Sequence, residues 1–215
     1  MLLHLVKKDF LLAKKYVILM LVVALALPIF IQSRLDTAAG QFLPFFLSTL
    51  YIVYLLFNTV SMKEYKYRGS ALLCATPYRR NAIVQAKYLF VLAIFLGCCV
   101  LYSLAALISP VQGNMLAMSD MVRAFFAITL IFAVMIPIQY RFGYEKSRMI
   151  FFFLVFLTPF GLSTVMDALQ KRGATFDISL PLPPLAMELL LVLLALLIGG
   201  VSMQLSVRIF SKKPL

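Results

Sequence analysis

Residues 43–66 read Leu43-Pro44-Phe45-Phe46-Leu47-Ser48-Thr49-Leu50-Tyr51-Ile52-Val53-Tyr54-Leu55-Leu56-Phe57-Asn58-Thr59-Val60-Ser61-Met62-Lys63-Glu64-Tyr65-Lys66. Twenty positions, 43–62, pass without a charge before the lysines begin. About 20 apolar residues are what a helix needs to cross a hydrocarbon core. This stretch is a membrane span closed by a basic segment. Five further apolar runs of similar character surround it, at about 16–33, 83–109, 121–138, 149–166 and 186–207. Polar or proline-bearing segments separate them: Arg34 to Gln41, Lys63 to Arg80, Pro110 to Asp120, Gln139 to Arg148 and Asp167 to Pro184.

The composition agrees with lipid as the solvent. Hydrophobic residues make up 63% of the 215 positions, charged residues 13%, and the mean hydropathy is +1.00. A soluble domain carries about a quarter charged residues to cover its surface. The expected fold is an all-α, polytopic membrane protein of six transmembrane helices, forming a single domain over residues 1–215. The net charge of +12 is not spread as in a nucleic-acid-binding face. It sits in short clusters between the apolar runs, so no nucleic acid is expected as a partner.

Those clusters fix the orientation. One side of the six-span scheme holds sixteen of the twenty lysines and arginines, from Lys7 and Lys8 through Arg79 and Arg80 to Lys212 and Lys213. The other side holds Arg34, Arg123, Lys171 and Arg172. The rich side is cytoplasmic by the positive-inside rule, which places both termini in the cytoplasm.

Residues 1–15 form an amphipathic segment. At about 100° per residue, His4, Lys7, Lys8, Lys14 and Lys15 fall in one arc, interrupted by Leu11. The opposite arc carries Leu2, Leu3, Leu5, Val6, Phe10 and Leu12, with Asp9 as its only charged member. This predicts an interfacial helix on membrane lipid, its lysines toward anionic headgroups or a partner. His4 is a solvated side chain of the basic arc. No cleavable signal peptide is expected, because no small-x-small site and polar mature chain follow the first apolar run.

Catalytic chemistry finds little to work with. No predicted span carries an Asp or Glu well inside the bilayer, where such groups are costly unless they function. One histidine and three cysteines, Cys74, Cys98 and Cys99, assemble no metal set and no even disulfide framework. The phosphate-binding pattern G-x-x-x-x-G-K-[ST] is absent, so the chain is not expected to hydrolyse ATP itself, and no catalytic residues or cofactor of its own are expected. Pro28, Pro137 and Pro159 predict kinks, and the pairs Ala93/Gly97 and Ala195/Gly199 suit close helix packing. Tyr54 and Asn58 in the second span, with Phe153, Phe156 and Phe160 in the fifth, are candidates to line an aromatic, uncharged cavity for an amphipathic cargo.

The loop at 63–80 combines Glu64, Arg68-Gly69-Ser70, Leu72-Leu73, Ala75-Thr76-Pro77 and Arg79-Arg80. Ser70 is suited to cap a short helix that Pro77 would end. The residues alone fit either a docking element for a soluble protein or a positive-inside loop without a partner. The segment resembles the first cytoplasmic loop of type-2 permeases of the ATP-binding-cassette (ABC) transporters. The run Pro137 to Arg148, with Tyr140-Arg141-Phe142-Gly143 and Glu145-Lys146, resembles a subfamily that includes exporters of phenol-soluble modulins and bacitracin-type peptides, as does Leu3 to Tyr16. Tyr78 departs from the pattern, standing where a small residue is common.

The resemblance implies a cytoplasmic coupling helix in the loop and separate cassette ATPase subunits that hold ATP and Mg. It also implies a second permease, identical or related, and an amphipathic peptide substrate exported across the bacterial cytoplasmic membrane. Glu64, Arg68, Leu72, Leu73, Pro77 and Arg79 are then the ATPase-docking residues, with Tyr140, Arg141, Glu145 and Lys146 in the second cytoplasmic loop. The alternative is a secondary carrier or channel working without an ATPase. The orientation has a direct test on a cysteine-free background. A membrane-impermeant maleimide should label Gly113→Cys in intact cells and label Lys212→Cys only after the membrane is opened.

Overall fold

The computed structural model of the protein describes residues 2–32, 42–67, 80–108, 117–171 and 184–212. They form six helices: α1 (Leu2–Gln32), α2 (Phe42–Lys66), α3 (Arg80–Ile108), α4 (Met118–Phe142), α5 (Tyr144–Lys171) and α6 (Pro184–Ser211). Four stretches, Phe42–Lys66, Asn81–Leu104, Met118–Phe142 and Leu185–Ser211, are long and apolar enough to cross a membrane.

α2 occupies the middle, packed against α1, α3, α4 and α5. Phe45, Leu50, Val53 and Val60 on it are fully enclosed. Aromatic edges lock it to its neighbours: Phe45 meets Tyr102 of α3 at 5.1 Å between ring centroids, and Phe57 meets Phe132 of α4 at 5.5 Å. Both pairs are near-perpendicular, the arrangement that sets a positive ring edge on a negative face.

α4 and α6 make the most extensive helix pair. The reason lies in the residues α6 turns inward: Ala195, Ser202 and Ser206 are buried, and Gly199 lies on the same stripe. Small side chains let two backbones approach, and hydroxyls then bond across the seam. Ser202 Oγ donates to the carbonyl of Ala133 on α4 at 2.6 Å, and a methyl placed on Gly199 would sit 3.6 Å from Thr129 Cγ2. The outer face of α6 is exposed leucine, including Leu185, Leu189, Leu193 and Leu197. Such a surface is at home in hydrocarbon and out of place in water. Gly97, the small residue expected to pack on α3, has no described atom within 4 Å of where a methyl would project.

Two boundaries differ from the sequence expectation. The predicted division at residue 15 between an interfacial helix and a first span is absent, and α1 runs unbroken for 31 residues. Its buried positions Leu5, Asp9, Ala13 and Met20 follow one stripe across that point, so tertiary packing on α2 and α3 continues the helix. The predicted loop from Gln139 to Arg148 is also absent. α4 continues through Pro137 to Phe142, α5 starts at Tyr144, and only Gly143 separates them. Gly143 has φ of 83°, a conformation that side chains disfavour, and its amide donates to the carbonyl of Gln139 at 2.9 Å. Ser147 Oγ then donates to the Gly143 carbonyl at 2.7 Å, securing the first turn of α5.

The α4–α6 seam gives a graded expectation for detergent-solubilised protein. Gly199→Ala should be tolerated, since the new methyl reaches ordinary contact distance. Gly199→Leu should lower the thermal midpoint by overpacking, at about 1–3 kcal/mol. Gly200→Leu, with no described atom near its projected methyl, should leave the midpoint close to wild type.

Candidate functional site

Asp9 was the one charge on an apolar arc, and the structure gives it partners. It is 1% exposed, on the face of α1 that packs inward. A carboxylate there is expensive unless paired. Lys87, near the start of α3 and 5% exposed, places its Nζ 3.2 Å from Asp9 Oδ2 and 2.9 Å from Glu64 Oε2 on α2. Lys8 closes the ring, 3.1 Å from Asp9 Oδ1 and 2.8 Å from Glu64 Oε1. Two positive and two negative groups therefore alternate around a four-membered ring that joins three helices. The Lys87 contacts are ion pairs at short range without aligned hydrogen bonds, whereas Lys8 donates a hydrogen bond to Glu64. At Lys8, burial pulls the pKa down, but Glu64 and Asp9 outweigh it and the net shift is upward. The ammonium form is held firmly at neutral pH.

The same end of the bundle gathers the other basic segments. Lys63 donates to the carbonyl of Leu12 and lies over the Tyr16 ring. Tyr140 at the end of α4 packs on Phe210 of α6 at 5.2 Å. Tyr88 of α3 bonds Ser202 and Ser206 of α6 at 2.8 and 2.9 Å. These contacts join the segments around Lys8, Lys63 and Lys87 to one another, and the end of α4 to the end of α6.

A groove of about 1100 Å³ opens between α2 and α5. Tyr54, Asn58, Phe153 and Phe156, four of the five residues singled out from the sequence, line it together. The side chain of Phe160 lies outside the described residues. Tyr51 and Phe152 complete the aromatic wall, while Lys66, Glu145 and Arg148 stand at one end. Tyr144 donates to Asn58 Oδ1 at 3.0 Å and its ring meets Tyr65 at 5.6 Å, so the two helices touch at the charged end.

Of the residues expected to dock an ATPase, Glu64 belongs to the ion ring, and Arg68, Leu72, Leu73, Pro77 and Arg79 lie outside the described residues. Arg141 is exposed over the Phe142 ring, and Lys146 and Glu145 are exposed, Glu145 beside Tyr65 in the groove lining. Lys87 was counted in the sequence only toward orientation. The signal that could have found its role is Asp9, a lone carboxylate on an apolar face that demands a cation from another helix. No group of histidine, cysteine or carboxylate side chains that could hold a metal ion occurs among the described residues.

An all-helical bundle with an apolar outer face, a polar clamp at one end and a lateral groove defines a polytopic membrane protein. The family model for ABC-2 family transporter proteins matches residues 4–211, nearly the whole chain. The protein belongs to that family and is the transmembrane permease component of an ABC transporter. No curated protein and no solved structure matches the chain.

The ring makes a sharp stability prediction. Lys87→Met leaves two buried carboxylates with one cation and should cost about 3–5 kcal/mol. The double change Asp9→Asn/Lys87→Met restores charge balance around Lys8 and Glu64 and should recover much of that loss. Thermal unfolding in detergent reads both, and equal losses in the single and double variants would exclude the pairing.

Proposed function

We propose that this chain is the permease subunit of an ATP-driven ABC exporter in the bacterial cytoplasmic membrane, moving amphipathic or hydrophobic peptides out of the cell. In this reading all six helices cross the bilayer and both termini are cytoplasmic, as the distribution of lysine and arginine requires. The observation that carries the reading is the groove between α2 and α5, which is aromatic, laterally open and large enough for an extended amphipathic cargo. A second permease, identical or related, faces it across α2 and α5 and completes the path.

The chain has no phosphate-binding loop, so force comes from cassette ATPase subunits that hold ATP and Mg. Their docking element is the loop from Lys63 to Arg80, with Leu72 and Leu73 as apolar anchors, Arg68, Pro77 and Arg79 around them, and Glu64 acting behind them through the ion ring. Tyr140, Arg141, Glu145 and Lys146 provide a second contact. The ion ring supports this assignment mechanically. Glu64 and Lys87 stand on the two helices that flank the loop, 2.9 Å apart, and both are tied to α1. A push on the loop reaches three helices at once instead of bending one. The ring's four charges cancel, which suits a strut better than a proton relay.

Leu72→Asp/Leu73→Asp should remove co-purification with the ATPase and abolish peptide-stimulated ATP hydrolysis, while membrane insertion and thermal stability stay unchanged. ATPase binding that survived this double change would overturn the docking assignment.

A further inference from the structure

Two cavities in the bundle differ in chemistry. The crevice between α3, α4 and α6, about 230 Å³, is walled by residues such as Leu92, Phe95, Phe125 and Leu196, with Tyr88 and Thr129 its only polar side chains. The α2–α5 groove adds the hydroxyls of Tyr51 and Tyr54 and the amide of Asn58 along its aromatic wall, and two cations and one carboxylate at its end. An acyl chain lying there would leave the Tyr51 and Tyr54 hydroxyls and the Asn58 amide nitrogen without a partner, at a cost a chain with its own polar groups avoids. The charges at the end are not balanced. Lys66 and Arg148 share the groove end with a single carboxylate, Glu145. Arg148 is exposed, has no ion-pair partner among the described residues, and lines the groove together with Tyr54 and Tyr144.

We propose that Arg148 is a specificity-determining residue of the groove, receiving the carboxylate at the C-terminal end of an amphipathic peptide whose apolar face lies on Phe152, Phe153 and Phe156. The inference rests on the reading of this groove as the peptide's path and adds the chemistry that orients the cargo in it. A guanidinium fork matches a carboxylate with two parallel hydrogen bonds and sheds water more readily than an ammonium. The cargo would then lie with its carboxylate at the basic end of the bundle and its apolar length toward the opposite end.

The test uses the full-length protein in nanodiscs of zwitterionic lipid and a fluorescent amphipathic helical peptide, as the free acid and as the C-terminal amide, against empty discs. The free acid should bind about tenfold more tightly than the amide, as expected for loss of one charged hydrogen-bonded pair. Arg148→Gln should erase that difference, Arg148→Lys should keep part of it, and Arg123→Gln, outside the groove, should leave it intact. Equal binding of acid and amide by wild type, or a difference that persists in Arg148→Gln, overturns the role of Arg148 and leaves the groove reading standing. Failure of both peptides to bind overturns the groove reading and this inference together. Displacement of both peptides equally by discs containing anionic phospholipid, with acid and amide indistinguishable, would assign Arg148 to a lipid headgroup instead.

Discussion

Four alternating charges, Asp9 and Lys87 fully buried and Lys8 and Glu64 partly so, hold the basic end of this bundle together. Ionic groups are costly to bury, and the arrangement is stable only because each carboxylate meets two ammonium groups and each ammonium two carboxylates. The geometry leaves little freedom: α1, α2 and α3 must converge within hydrogen-bonding distance at one level, or a charge is stranded. The apolar contacts above that level, such as Phe10 on Phe90 at 5.0 Å, are non-directional and would tolerate sliding. The ring fixes the register that they fill. It also separates two kinds of helix pairing, since α4 and α6 are joined by small residues and hydroxyls.

Much of the fold was legible because its drivers are local. Apolar length marks a helix in lipid, so α2, α3, α4 and α6 were readable directly. The aromatic groove was partly legible too. Tyr54 and Asn58 are one helical turn apart, Phe153 and Phe156 nearly so, and polar or aromatic residues on a common face of an apolar helix must be turned toward something. What could not be read were features that depend on partners distant in sequence. Asp9 and Lys87 are 78 positions apart, by 87 − 9, and neither neighbourhood names the other. The continuity of α1 likewise depends on a buried stripe whose members look merely apolar. The turn at Gly143 was overlooked because Gln139 to Arg148 is polar enough to resemble a loop, although a single glycine supplies the whole change of direction.

The groove and the ring are adjacent along α2, a relation that matters for how force could be shared. Glu64 lies in the ring, while Tyr65 and Lys66 immediately after it face the groove. One turn of helix thus belongs to both. Any displacement of the ring relative to α5 is felt first at the Tyr65–Tyr144 and Asn58–Tyr144 contacts, which close the charged end.

The single-residue junction at Gly143 restricts how the groove wall can move. With no slack between α4 and α5, and α4 bolted along its length to α6, α5 has no route for translation as a body. It can pivot about its first turn. A 28-residue helix is about 42 Å long at 1.5 Å per residue, so a tilt of about 10° carries its far end some 7 Å while Tyr144 scarcely shifts. The groove would spread like a fan, wide at the end remote from the lysines and nearly fixed at the other, which gives the two ends unequal clearance without any separate gate.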